Sequence, residues 1–414
     1  MHDPLAAVPR RRTLWANAEF MRLWTGQTIS ELGSRITREG IPLTALLVLH
    51  AGAWQMGLLS ALGGAAVLAF GLAAGVWIDR LRRRPILVGA DLGRAAVLAS
   101  IPAAAWAGTL GMGQLYAVAA LAGVLTVFFD VAYQSYLPAL VEPEEILDGN
   151  SKLALSSSTA EIAGPGLTGF LVQLITAPIA ILFDALSFLA SAALVATIRR
   201  REPPPAPQPA ERLAAEALAG LRWIFAHPAL RALGLRAATA WVFHGFLGAL
   251  YMLCAIGVLG LRPAVLGVVI ATGGAGAMIG AVLAPRLARA LPTGRTFVAT
   301  STIYGLTAFL IPLAGAVPAA AVALLATTQL VGDMALAVFS INEVSLRQRL
   351  APPAVLGRVN AGMQLLARGV YPLGALLGGW LGARVGVLTT LAAAAAGLLL
   401  STLWLATPAL RRLR

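Results

Sequence analysis

Cysteine is almost missing from this chain of 414 residues: Cys254 is the single one, which excludes an intrachain disulfide and any cysteine-based metal cluster. Lysine is equally scarce, with Lys152 alone. No Gly-x-x-x-x-Gly-Lys-Ser stretch is present to cradle nucleotide phosphates, so ATP is not expected to be the energy source. No grouping of His, Cys and carboxylates has metal-ligand spacing. Charge is thin: 12% of residues are charged, against roughly 25% in soluble domains, while 58% are hydrophobic and the mean hydropathy is +0.80. A large soluble enzyme is not built this way, whereas a polytopic membrane protein is. At about 20 residues per span the length accommodates about twelve helices with short loops. Met1 to Arg12 is polar and the first apolar run begins only near Leu23, so no cleavable signal peptide is expected.

What charge there is has one dominant sign, a net +13. Its placement argues for topology rather than for nucleic acid as a partner. Arg10, Arg11, Arg12 and Arg22 precede the first apolar segment, and Arg80 to Arg84 follow the second. Arg199 to Arg201 follow the sixth, Arg286 to Arg295 the eighth, Arg347 to Arg358 the tenth, and Arg411, Arg412 and Arg414 close the chain. If the spans alternate, all these groups fall on one side, and the other side keeps chiefly Arg262 and Arg384. By the positive-inside rule the basic side is the cytoplasm, with both termini on it and anionic lipid headgroups as secondary partners.

The stretch Gly75-Val-Trp-Ile-Asp79-Arg80-Leu-Arg82-Arg83-Arg84-Pro85 fixes this orientation, because an Asp followed by clustered Arg cannot lie in hydrocarbon. Its Gly-x-x-x-Asp-Arg-x-x-Arg-Arg spacing resembles the loop signature between the second and third spans of major facilitator superfamily transporters, with Arg82 where that signature usually has Gly. Phe20-Met-Arg-Leu-Trp24-x-Gly26-Gln27-x-Ile-Ser30-x-Leu-Gly33 is similar to the opening of the macrolide-efflux and siderophore-exporter branch. So are Gly164-Pro165-Gly166, Asp184-Ala-Leu-Ser-Phe188 and His227-Pro228-x-Leu-Arg231.

Along the chain, an internal repeat marks two halves. Tyr136-Leu-Pro138, Leu147-Asp-Gly149-Asn150 and Gly164-Pro165-x-x-x-Gly169 find ordered counterparts in Leu350-Ala-Pro352, Leu356-Gly357-Arg358-Val359-Asn360 and Gly369-Val-Tyr-Pro372-Leu-Gly374. Between the halves, Arg199 to Arg236 begins with a proline-rich spacer and continues as an amphipathic surface helix over Glu211 to Phe225. The expected architecture is therefore an all-α membrane protein of about twelve transmembrane helices in two pseudo-symmetric six-helix bundles. Its divisions would be an N-terminal segment 1–22, bundles over 23–198 and 233–406, a linker over 199–232 and a tail over 407–414.

Charged residues inside apolar spans are costly unless paired or wet, so they are the candidate functional groups. Glu31, Arg35, Arg38 and Glu39 lie within the first span, with Glu31 and Arg35, and Arg35 and Glu39, four apart on one face. They are either substrate and proton-coupling groups, with Glu31 the first choice, or an ion-pair network that fixes helix rotation. Asp130, Glu161, Asp184 and Asp333 are further carboxylates in spans, with Asp130 and Asp184 leaning structural and Arg368 a possible partner. His244 is either a proton shuttle or a packed, hydrogen-bonded residue, and Trp241, Phe243 and Phe246 either line an apolar pocket or fill a core. Ser156 to Thr159 reads as helix packing rather than a nucleophile.

The resemblance adds roles to some of these residues. It implies that Gly75, Asp79, Arg80, Arg83 and Arg84 form a gating loop, with Asp79 meeting the N-terminus of a second-half helix in one conformation; the bland alternative is a positive-inside anchor. It implies that Gly164, Pro165 and Gly169 pack closely against the second half. It also implies a monomeric, multi-pass transporter of a bacterial-type inner membrane. Such a protein would export a small, partly apolar molecule by alternating access, driven by proton entry and without a cofactor. Import, a non-transporting sensor and a membrane enzyme are the alternatives; the enzyme would need a His–carboxylate pair that the Asp79 loop lacks.

Overall fold

The computed structural model describes residues 14–78, 81–200, 202 and 212–411. Asp79 and Arg80 of the expected gating loop therefore lie outside the described residues. The described chain is helical throughout, with no strand among its elements. In chain order the helices are α1 (Ala18–Leu47), α2 (Ala53–Ile78), α3 (Arg83–Trp106), α4 (Met112–Leu140), α5 (Ile146–Ile175) and α6 (Ala177–Ala196). A shorter α7 (Arg212–Ala226) precedes α8 (Pro228–Met252), which runs on as a π-helical turn over Leu253–Val258. Then follow α9 (Pro263–Ala290), α10 (Thr293–Ala308), α11 (Leu310–Ala316), α12 (Ala321–Leu350), α13 (Pro353–Arg368), α14 (Tyr371–Val385), α15 (Val387–Ser401) and α16 (Pro408–Arg411).

Nine helical segments among the described residues are long and apolar enough to cross a membrane. Large apolar side chains stand on the outside, among them Leu121, Phe170, Leu174, Val268 and Val282, as a lipid-facing surface requires. The helices left out are informative. α1 is rich in charge, with Glu31, Arg35, Arg38 and Glu39 in its middle, α5 carries Asp148, Lys152 and Glu161, and the α13–α14 segment is interrupted at Gly369 and Val370, so each piece is short.

Short turns between long helices force neighbours to run antiparallel. All the arginine-rich connections consequently lie at one end, called here the basic face. Packing falls into two groups: α1 packs on α5 and α6, α3 on α4 and α6, and α2 on α4, while α9 packs on α12, α8 on α14 and α15, and α10 on α12 and α15. The groups meet where α2 touches α14 and α8, and where α5 touches α9.

Local signals explain several helix ends. The Asn17 side chain accepts hydrogen bonds from the Glu19 and Phe20 N–H groups at 3.1 and 3.2 Å, capping α1. Glu202, just beyond α6, accepts from the Arg83 and Arg84 N–H groups at 2.6 and 2.7 Å, placing a carboxylate on the N-terminus of α3. Arg84 also reaches the Val195 carbonyl at 3.3 Å and the Ala196 carbonyl, so this part of the expected gating loop is tied to its own group. The α5–α6 turn holds Thr176 at φ 93°, ψ 154°, and the α14–α15 turn holds Gly386 at φ 94°, ψ 155°. The same backbone corner thus recurs at corresponding places in the two groups.

Candidate functional site

At the end remote from the basic face the two groups touch backbone to backbone. A Cβ on Gly57 of α2 would lie 2.6 Å from the Gly379 Cα of α14, so this crossing requires glycine. On the other side of the molecule Gly169 of α5 rests on Pro263 and Ala264 of α9, and Gly267 of α9 rests on the Pro165 carbonyl. Gln173 accepts from the Ala264 N–H at 3.3 Å across the same junction. These contacts form a floor. Just above it Ser60 of α2 donates to the Gly248 carbonyl of α8 at 3.0 Å.

Over this floor lies a cavity of about 660 Å³ walled by both groups. Arg38, Glu39 and Ser60 face it from the first group, and Trp241, His244, Tyr251, Tyr304, Asp333, Arg368 and Tyr371 from the second. His244 Nε2 hydrogen-bonds the Tyr304 hydroxyl at 2.8 Å, and their rings stack with centroids 5.4 Å apart. Trp241 lies 5.2 Å from His244 and 6.2 Å from Tyr371, which completes an aromatic wall. A lobe of about 510 Å³ extends into the first group, past Leu98, Val127 and Phe188 to Asp130. Arg38, Pro42, Ser60, Gly64 and Tyr371 line both spaces, which makes them one compartment.

The compartment opens towards the basic face. Arg38 lies some 20 residues along α1 from the basic end, about 30 Å of helix at 1.5 Å per residue, yet its side chain is 64% exposed. Since the far end is closed by the glycine contacts, water reaches Arg38 from the basic side.

The charges of α1 are arranged differently from the sequence expectation. Arg35 pairs with Glu161 of α5 at 2.5 Å and with Glu31 at 3.9 Å, while Arg38 approaches Glu161 at 3.8 Å. The network is thus a bridge between α1 and α5 rather than a ladder along α1. Glu39 forms no ion pair within 4.0 Å among the described residues and faces the cavity instead. The cause is steric: a Cβ on Gly164 would collide with the Cβ and Cγ of Arg35, so its absence lets Arg35 lie across α5 and reach Glu161. Within the Gly-Pro motif, Gly164 therefore serves packing inside the first group, while Pro165 and Gly169 meet the second.

Asp184 is fully buried, accepts from the Ser187 hydroxyl at 3.0 Å and packs against Gly33 of α1. Asp130 is exposed on the wall of the first-group lobe. Of the aromatic residues singled out, Trp241 and His244 line the cavity. Phe243 packs on Gly397 of α15 and Phe246 on Gly378 of α14, so these two serve the core. Ser156 accepts a hydrogen bond from the Thr28 hydroxyl of α1 at 3.0 Å, in keeping with a packing role. Gly75 falls in the last turns of α2.

Several lining residues had no sequence signal. Tyr251, Tyr304, Gln329 and Tyr371 are single residues in apolar helices, visible only once the helices are arranged. Arg236 did have a signal. Placed at the edge of a linker by its sequence neighbours, it lies instead two turns inside α8 and is 6% exposed.

Comparison with known proteins gives three findings. A family described as transmembrane secretion effector matches residues 13–414. Macrolide efflux protein A of Streptococcus pyogenes is 26% identical over 181 residues, which is 44% of this chain and 44% of that protein, so less than half of the relative is matched. Among solved structures, the nucleoside transporter NupG (a D323A mutant) is 13% identical with a TM-score of 0.72, covering 94% of this chain and 99% of that one. A bacterial homologue of the iron transporter ferroportin in an inward-facing state is 19% identical with a TM-score of 0.70, covering 94% and 99%. An outward-facing structure of such a homologue gives 0.58 at 20% identity, covering 93% and 98%. At these identities the structural likeness is one of fold.

Proposed function

The chain belongs to the transmembrane secretion effector family, a branch of the major facilitator transporters, and on that premise we propose that it exports a small, partly apolar molecule by alternating access. The observation that carries this reading is the compartment of about 660 Å³, walled by both helix groups, floored by glycine contacts and open at one end only. In this proposal α1, α5 and the α13–α14 pair also cross the membrane. Added to the nine apolar spans, they give twelve, six on either side of α7. The basic face is the cytoplasmic one, so the conformation described is inward-open, ready to take cargo from the cytoplasm.

Energy would come from proton entry rather than from a cofactor. Glu39 and Asp333 face the compartment, Asp130 faces its first-group lobe, and all three stand without an ion pair within 4.0 Å among the described residues. A carboxyl group that meets the cavity in both conformations can carry a proton inward as cargo moves out. Glu31 sits behind this surface and would act through Arg35. The protein is proposed to work as a monomer in the inner membrane of a bacterial-type cell.

The test is accumulation of a panel of dyes and antibiotics in cells expressing the chain, with and without a proton uncoupler. Lower accumulation that the uncoupler abolishes supports proton-driven export. Raised accumulation of any compound, likewise uncoupler-sensitive, would reverse the direction and overturn the export reading.

A further inference from the structure

Beside the main compartment, between α8, α12 and α13, lies a smaller cavity of about 240 Å³. Trp241, His244 and Arg368 line both spaces, so the small cavity is a side chamber of the large one. Three guanidinium groups line it, those of Arg236, Arg347 and Arg368, against the single carboxylate of Glu343. Glu343 is engaged by Arg347 at 3.3 Å. Among the described residues neither Arg236 nor Arg368 has a carboxylate within 4.0 Å. Asp333, on the same side of the molecule, lines the main compartment and not the side chamber.

Arg236 is the decisive residue. It is 6% exposed, its guanidinium carbon lies 3.9 Å above the Phe339 ring, and among the described residues its side chain hydrogen-bonds only the Ser301 hydroxyl, at a long 3.4 Å. Removing a guanidinium from water without a contacting carboxylate is costly, and a ring face, one hydroxyl and the more distant Glu343 return only part of that cost. Arg368 faces the same chamber from α13 and is exposed to it. Glu343 and Asp130 act on Arg236 and Arg368 respectively only from beyond ion-pair distance. Two guanidinium groups without a contacting carboxylate among the described residues, at the mouth and wall of a chamber, match the oxygen fork of a carboxylate, sulfonate or phosphate.

We infer that this side chamber is an anion subsite. It receives the negatively charged end of an amphipathic cargo whose apolar or aromatic body lies against Trp241, Tyr304 and Tyr371 in the main compartment. This deepens the transport reading and rests on it for the statement that the bound molecule is cargo. The chamber's contents follow from its own charge and hold whether or not the cargo is exported.

The matched probes are fluorescein, an anion, and rhodamine 6G, a cation on a related ring system. Their binding to the purified full-length protein is read by fluorescence anisotropy. Fluorescein is expected to bind more tightly than rhodamine 6G. Arg368→Gln and Arg236→Gln should each weaken fluorescein at least tenfold, leave rhodamine 6G within twofold, and Arg236→Lys should retain part of the affinity. Should Arg236→Gln fail to give a monodisperse protein, Arg368→Gln decides alone, because its side chain is exposed and carries no folding burden. Unchanged fluorescein affinity in Arg368→Gln, preference for rhodamine 6G, or no fluorescein binding up to about 1 mM would overturn the inference. Arginine-dependent fluorescein binding without efflux from cells would leave the subsite standing and defeat the export reading. Efflux of cationic dyes with no fluorescein binding would do the reverse.

Discussion

Arg35 sits where two helices of one group cross, and its environment sets what its removal should do. Its guanidinium spans Glu31 and Glu161 over the notch left by Gly164. Arg35→Gln removes the partner of Glu31 and leaves Glu161 only the more distant Arg38, and should destabilise the protein by ~1.5–3 kcal/mol, the range for a hydrogen bond to a charged group; a drop in the midpoint of thermal unfolding of purified protein checks this. An unchanged midpoint would mean that the bridge is ornamental. Asp333→Asn is expected to behave in the opposite way, folding normally because Asp333 has no ion pair to lose among the described residues, while abolishing uncoupler-sensitive efflux. Full efflux by that variant would remove Asp333 from the proton path. The charges of α1 could be found in the sequence because any charge within an apolar span stands out. Their partners could not, since Glu161 lies 126 positions beyond Arg35 and only the fold brings them together. Arg236 was hidden for a different reason: neighbouring linker arginines made it look interfacial, and only the start of α8 at Pro228 places it in the interior.

At the scale of elements, the two corners at Thr176 and Gly386 offer a direct comparison. Both have φ near 93–94°, a region that glycine enters freely and a β-branched residue enters under strain. Thr176→Gly should therefore stabilise the protein by ~1 kcal/mol, and Gly386→Thr should destabilise it by a similar amount, both read as shifts in thermal unfolding. No stabilisation by Thr176→Gly would mean that the Thr176 side chain makes compensating contacts. The repeat was visible in the sequence through Gly164-Pro165 and its counterpart Gly369 to Gly374, but the paired corners were not, because Thr176 carries no sign of a positive φ. The helical class and the apolar spans were also legible, because hydropathy alone reports them. Helix interruptions were not: nothing in the apolar pattern marks the breaks at Phe309 or at Gly369 and Val370, which depend on how neighbours pack. The capping of α3 by Glu202 was invisible too, since that carboxylate comes from 119 residues further along the chain.

For the whole molecule, the floor made by Gly57 with Gly379 and by Gly169 with Pro263 decides which end is closed. A Gly57→Leu side chain cannot fit there, so it should hold the closed end apart. In a Cys254→Ser background, a cysteine replacing Ser60 should then react faster with a maleimide that cannot cross the membrane, added from the side opposite the basic face. Equal reaction rates with and without Gly57→Leu would show that another contact is the seal. The floor has a further consequence. It is a junction of backbone and small residues with one neutral hydrogen bond, and no ion pair among the described residues spans it. Parting it costs dispersion contacts and one hydrogen bond between neutral groups, which dissolved ions screen little. The rate at which this end opens should thus be indifferent to the salinity of the medium it faces, so that the protein cycles alike in dilute and in briny surroundings.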